Sequence, residues 1–156
     1  MLLLVLLVVA GGFLYSRRSA NTRLDDTRVE VVGVARQEAV NLMSLSYNTA
    51  TKNLNDILSL ATGSVAKQFE SQRKTIGSYL SQAKSTSRAQ VKSAGLVSLG
   101  KDRAVVLVGA DATVSNNESS NAGLKSVVKH YRISMTLQRV DGRWLVSDVG
   151  FDGAAQ

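Results

Sequence analysis

The hydrophobic period of the chain changes once, near residue 90, and that change limits the possible folds more than any other feature. Before it, apolar residues recur every three to four positions, as on one face of a helix. After it they alternate with polar ones, as on a strand with one buried face. Helices and strands segregated in this way predict an α+β fold. The helices are expected to pack on the apolar face of a curved four-stranded antiparallel sheet.

In the first half, Leu24, Val31, Val34, Ala35, Leu42 and Leu45 fall on one side at helical spacing. Arg28, Glu30, Arg36, Gln37 and Glu38 fill most of the rest. One long amphipathic helix follows from this, with Gly33 the one residue against it, at about 1 kcal/mol relative to alanine. A second short helix holds Leu54, Ile57, Leu58 and Leu60, with Asn48 or Thr49 placed to cap it and Gly63 placed to end it in a left-handed conformation. Ser64 is placed to cap a third, which carries Val65, Phe69, Ile76, Tyr79 and Leu80. The serine-rich stretch after Leu80 is the expected connection between the halves.

Four strands are expected in the second half. They are Gln90–Leu99, Arg103–Val114, about Lys125–Val140 and Arg143–Phe151, with a polar loop over Ser115–Gly123. On the third, Tyr131, Ile133, Met135 and Leu137 share one face, while His130, Arg132, Ser134, Thr136 and Gln138 share the other. Asp141–Gly142 is a strong hairpin signal and joins the last two strands. No internal repeat is visible.

The first 15 of the 156 residues carry no charge and are almost all apolar. As a helix they span about 22 Å against a bilayer core of ~30 Å, so a full crossing needs Ser16, snorkelling by Arg17 and Arg18, and Tyr15 at the interface. A signal-peptide core and a buried helix are the competing readings. Leu and Val on every face favour a membrane anchor over residues 1–16. Arg17 and Arg18 alone would hold the remainder in the cytoplasm, and a basic extension upstream of Met1 would reverse that orientation. The expected organisation is an anchor at 1–16, a long amphipathic helix at 17–45, an α+β domain at 46–152 and a tail at 153–156.

Composition removes several chemistries. The chain has no cysteine, which excludes disulfides, thiolate metal sites and a cysteine nucleophile. One histidine, His130, excludes any centre that needs two. The net charge of +7 is concentrated in residues 16–92, where 12 Lys and Arg face 6 Asp and Glu. Lys52, Lys67, Arg73, Lys74, Lys84, Arg88 and Lys92 are dispersed with no aromatic residues interleaved, so solvated helix faces account for them and no nucleic-acid partner is expected. Arg17, Arg18 and Arg23 are placed to meet headgroups of the lipid bilayer. A pocket enzyme would have to draw its acid or base from Asp111, His130, Tyr131 and Asp148. His130 and Tyr131 point to opposite faces, and Asp111 alternates out of the apolar set, so no catalytic residue, metal ligand or cofactor is assigned.

The apolar anchor, the long charged helix, LSYNTATKNLNDILSLATGSVAKQF, the meander and the closing LQRVDGRWLVSDV together resemble the Mce-associated membrane proteins of actinobacteria, named for the mammalian-cell-entry transporters they accompany. The resemblance covers residues 1–152 and rests on Tyr47, Leu54, Ala61–Thr62–Gly63, Phe69 and the run from Val140 to Val146. It implies a single-pass cell-membrane protein with an extracytoplasmic domain similar to nuclear transport factor 2 and to the periplasmic domains of type IV secretion assembly proteins. It also implies a non-enzymatic accessory role, stabilising or assembling an Mce lipid-import complex whose permease subunits would be partners. The outward stripe Arg132, Ser134, Thr136 and Gln138 is a candidate docking face. A small-ligand or lipid-binding domain is the competing function, and its pocket between helices and sheet would be lined by Tyr47, Phe69, Tyr131 and Trp144. The oligomeric state is not legible from the sequence.

Overall fold

The computed structural model describes residues 24–151. The expected anchor at 1–16 and tail at 153–156 lie outside the described residues. Among those described, no helix is long and apolar enough to cross a membrane. The chain divides into two compact units, Met1–Glu30 and Val31–Gln156. In the first, residues 24–30 are helical, and Arg28 pairs with Asp25 on the surface at 3.1 Å.

The second unit is the α+β body. Helix α1 is assigned over residues 24–43, and from residue 31 onward it buries Val31, Ala35, Ala39 and Met43. These join one apolar cluster with Ala104, Val106, Val108, Ala110 and Ala112, with Ile133, Met135 and Leu137, and with Trp144 and Val146. Helix α2, Ala50–Leu60, buries Leu54 and Ile57. Helix α3, Gly63–Ala83, buries Val65 and Leu80 and packs against α2 and the last strand.

The strands are β1 (Thr86–Leu99), β2 (Arg103–Ser115), β3 (Val127–Val140) and β4 (Arg143–Phe151). They form an antiparallel meander in the order β1-β2-β3-β4. Asp141 and Gly142 both have positive φ, 49° and 80°, as a two-residue type I′ hairpin requires. One face of the sheet carries the core and the other is open to solvent, as the alternation predicts.

Several boundaries differ from the sequence expectations for identifiable reasons. Gly63 does not end α2. Ala61 is extended and bridges Val146, and the Thr62 amide donates to Val146 O at 2.8 Å, so residues 61–62 cover the edge of β4. Gly63 then opens α3 with φ +56°, where a Cβ would lie 3.1 Å from Ser147 O. Ser64 does not cap the helix. Its hydroxyl lies 2.7 Å from Ser147 O and 3.0 Å from Asp148 Oδ1. Thr49 holds the N-cap position of α2 without a side-chain capping bond, and its hydroxyl donates to Asn53 Oδ1 instead.

The connection after Leu80 shrinks to Lys84 and Ser85. Lys84 takes a left-handed φ of 50°, and the Ser85 amide donates back to Leu80 O at 3.0 Å, which stops the helix. The polar residues that follow are the start of β1. They are held by a bridge from Ser46 to Thr86 and by the Ser87 amide donating to Leu45 O at 2.7 Å. Within the expected polar loop, Asn117–Asn121 forms a short helix, α4, closed by a reciprocal capping box between Asn116 and Ser119.

Candidate functional site

On the outward face of the sheet, the β2–β3 register sets Asp111 opposite His130, Gly109 opposite Arg132, Leu107 opposite Ser134, Val105 opposite Thr136 and Arg103 opposite Gln138. Arg132, Ser134, Thr136 and Gln138 therefore form one outward stripe, between the buried Ile133, Met135 and Leu137. Arg132 and Gln138 are exposed, and Ser134 and Thr136 are half-buried. At one end, His130 Nδ1 lies 2.6 Å from Asp111 Oδ1, and Lys92 Nζ lies 3.9 Å from Asp111 Oδ2. The Arg132 side chain has no hydrogen bond or ion pair among the described residues.

Two hollows open on this face. One, of about 630 Å³, is lined by Ser93, Gly95, Leu107, Gly109 and Arg132 among others. The other, of about 220 Å³, includes Lys92, Asp111 and His130. Gly109 and Arg132 belong to both, so the hollows adjoin. Their shape has a backbone origin. Strand β1 is bulged between Val91 and Ser93 and again between Leu96 and Ser98, which bends it against β2.

A third cavity lies between α1, α3 and β4. Leu42, Val65, Phe69, Val149 and Phe151 give it apolar walls, and Ser64, Gln68 and Asp148 supply polar groups. Its volume is about 160 Å³, below the ~300–1,000 Å³ of ordinary small-molecule sites. Of the four residues expected to line such a pocket, Phe69 does so. Tyr131 is half-buried beside the core and meets Phe151 edge-on at 6.3 Å. Trp144 is buried in the core, and its Nε1 has no hydrogen-bond partner among the described residues. Tyr47 sits in the turn before α2, with Lys84 Nζ 5.1 Å over its ring. Phe69 thus lines the cavity under the helices, and Tyr131 borders the smaller hollow on the sheet.

The residue that sequence reasoning misplaced is Glu38. Counted with the solvated side of α1, it is fully buried, with Oε1 unpartnered among the described residues. Asn41 Nδ2 donates to Glu38 Oε2 and to Asp56 O on α2, each at 3.2 Å. Desolvation by burial raises the carboxyl from 4.5 to about 8, and the Asn41 hydrogen bond opposes the rise. The group is thus mostly protonated at neutral pH. The signal was present: Val31, Ala35, Glu38, Leu42 and Leu45 step by four and three along the apolar seam. Among the described residues, no cluster of three or more His, Asp or Glu side chains is arranged to hold a metal ion.

Residues 1–152 match the family described as uncharacterized protein Rv1363c/MT1408-like. The chain belongs to that family. It is 24% identical over 143 residues to the uncharacterized protein Rv1363c of Mycobacterium tuberculosis, covering 92% of this chain and 53% of that one. The chain therefore spans about half the length of this curated relative. Among solved structures, an IcmL-like type IV secretion system protein from Legionella pneumophila superposes with a TM-score of 0.64 at 9% identity, covering 83% of this chain and 94% of that one. The periplasmic domain of DotI gives 0.59 at 14% identity, covering 80% and 94%. The Rv1363c/MT1408-like chain thus shares its fold with a type IV secretion system protein and with the periplasmic domain of DotI. At these identities the likeness concerns fold alone.

Proposed function

We infer that the chain is a non-enzymatic, single-pass accessory protein of the cell envelope. Residues 1–16 tether it to the cell membrane, and the α+β domain lies outside the cytoplasm, where it stabilises or assembles an Mce-type lipid-import complex. The observation that carries this reading is the pairing of an uncharged apolar segment with a domain folded like a type IV secretion system protein and the periplasmic domain of DotI. The outward stripe Arg132, Ser134, Thr136 and Gln138 offers the docking face.

The competing reading is a ligand carrier with its pocket between helices and sheet. A cavity of about 160 Å³ there argues against it as a lipid site.

The test is a mild-detergent purification of the tagged chain from native membranes, read by mass spectrometry. Co-purified Mce or permease subunits that disappear with Arg132→Glu and Gln138→Glu support the reading. Recovery of the chain with lipid and no transporter subunit would overturn it.

A further inference from the structure

The larger hollow on the outward sheet face combines features that a flat solvated sheet lacks. Its volume of about 630 Å³ falls within the ~300–1,000 Å³ of small-molecule sites and is about four times that of the cavity under the helices. Its floor is open because Gly95 and Gly109 present backbone in place of side chains, on neighbouring strands. Gly95 lies opposite Leu107, and Ser93 lies opposite Gly109. A Cβ at 109 would come within 2.7 Å of Ser93 Oγ, so that hydroxyl would have to turn aside to admit one. At Gly95, by contrast, nothing lies within 4 Å of where a Cβ would be, so that space is free for a ligand.

Apolar and charged groups divide the walls. Leu107, 47% exposed, stands over the glycine floor. Arg132 stands at the junction with the smaller hollow and is unpaired among the described residues. The nearby carboxylate, Asp111, is engaged by His130 and Lys92 and does not reach Arg132 as an ion-pair partner. A planar guanidinium with free donors is suited to a carboxylate or phosphate, which it holds through paired hydrogen bonds. The Ser93 hydroxyl adds a second uncommitted donor on the same wall.

The geometry points to a binding site for a small organic anion with an apolar body, its carboxylate or phosphate on Arg132 and its body lying over Gly95 and Gly109 against Leu107. The site is separate from the cavity beneath the helices and does not depend on the identity of any assembly partner. Arg132 also belongs to the proposed docking stripe, but ligand binding is read on the chain without any partner, so the docking role and this site can fail independently.

The experiment uses the full chain in lipid nanodiscs, titrated calorimetrically with 2-naphthoate, with empty nanodiscs as the blank. Acetate supplies the anion alone and 2-naphthalenemethanol the apolar body alone. Saturable naphthoate binding, at least tenfold tighter than either comparator, is expected. Arg132→Gln and Gly95→Gln are each expected to weaken it at least tenfold, the first by removing the charge and the second by filling the floor. Gln68→Trp, at the cavity between α1, α3 and β4, is expected to leave it unchanged. Circular dichroism confirms that each variant is folded. No saturable binding, or binding that survives both outward-face variants, or binding lost in Gln68→Trp, would overturn the assignment.

Discussion

Glu38→Gln is expected to stabilise the folded chain by an amount that grows with pH. The folded carboxyl titrates near 8 because burial desolvates it, whereas the unfolded chain titrates near 4.5. A folded pKa above the unfolded one means that the folded state binds the proton more tightly. The wild-type contribution is therefore fully present below pH 4.5 and is lost as pH rises to about 8. The loss is about 1.4 kcal/mol per pH unit, which sums to roughly 4–5 kcal/mol across the window and about 3 kcal/mol at neutral pH. Glutamine keeps the side chain's shape and an acceptor for Asn41 Nδ2 but has no charge to desolvate. Guanidinium unfolding of the full chain, followed through its single tryptophan, Trp144, measures both proteins across a pH series. The two are expected to be nearly equal at about pH 4, to separate with the stated slope, and to run parallel above pH 8. A difference that stays constant from acid to alkaline pH would refute the reasoning, because it would mean that Glu38 does not change charge between the states. A glutamine variant less stable at every pH would refute it too, by implying a charged and well-paired carboxylate in the fold.

Two glycines with positive φ separate backbone strain from crowding. Gly142→Ala, with nothing within 4 Å of the added Cβ, is expected to cost about 1 kcal/mol. Gly63→Ala adds the 3.1 Å approach to Ser147 O and is expected to cost about 2–3 kcal/mol, with chemical unfolding measuring both. Asn116→Ala removes the capping box of α4 and is expected to cost about 1 kcal/mol, accompanied by faster amide exchange at Ser119.

The strands were legible because each signal was local. Alternation along Arg103–Ser115 and Val127–Val140 states which side chains face the core, and Asp141–Gly142 fixes the last hairpin. The segment around Ser85 and Thr86 was illegible for the opposite reason. A polar, serine-rich run carries no burial pattern, and what makes it a strand is pairing with the far end of β2, Thr86 opposite Ser115, together with a bridge to Ser46, forty residues earlier. Gly63 misled because a left-handed glycine is equally suited to ending one helix and to opening the next. The choice was made by the edge of β4, which recruits Ala61 and Thr62.

The outward face shows the same division between what runs along a strand and what runs across strands. Arg132, Ser134, Thr136 and Gln138 could be read as one stripe, since they alternate with buried neighbours on β3. The chemistry that distinguishes the face lies across it. His130 meets Asp111 through the β2–β3 register, and Gly109 lies between Ser93 and Arg132 through two registers and a bulge. The β1–β2 register is the harder of the two to read from sequence, because β1 needs two bulges to stay in step with β2, whereas β2 and β3 pair without a shift. Glu38 is the helical counterpart. Its charge outweighed its place in the seam, yet burial holds it protonated near neutral pH, so it packs as a neutral side chain. A charged residue type at a seam position is therefore better read from its spacing than from its charge, provided that the fold can keep its proton.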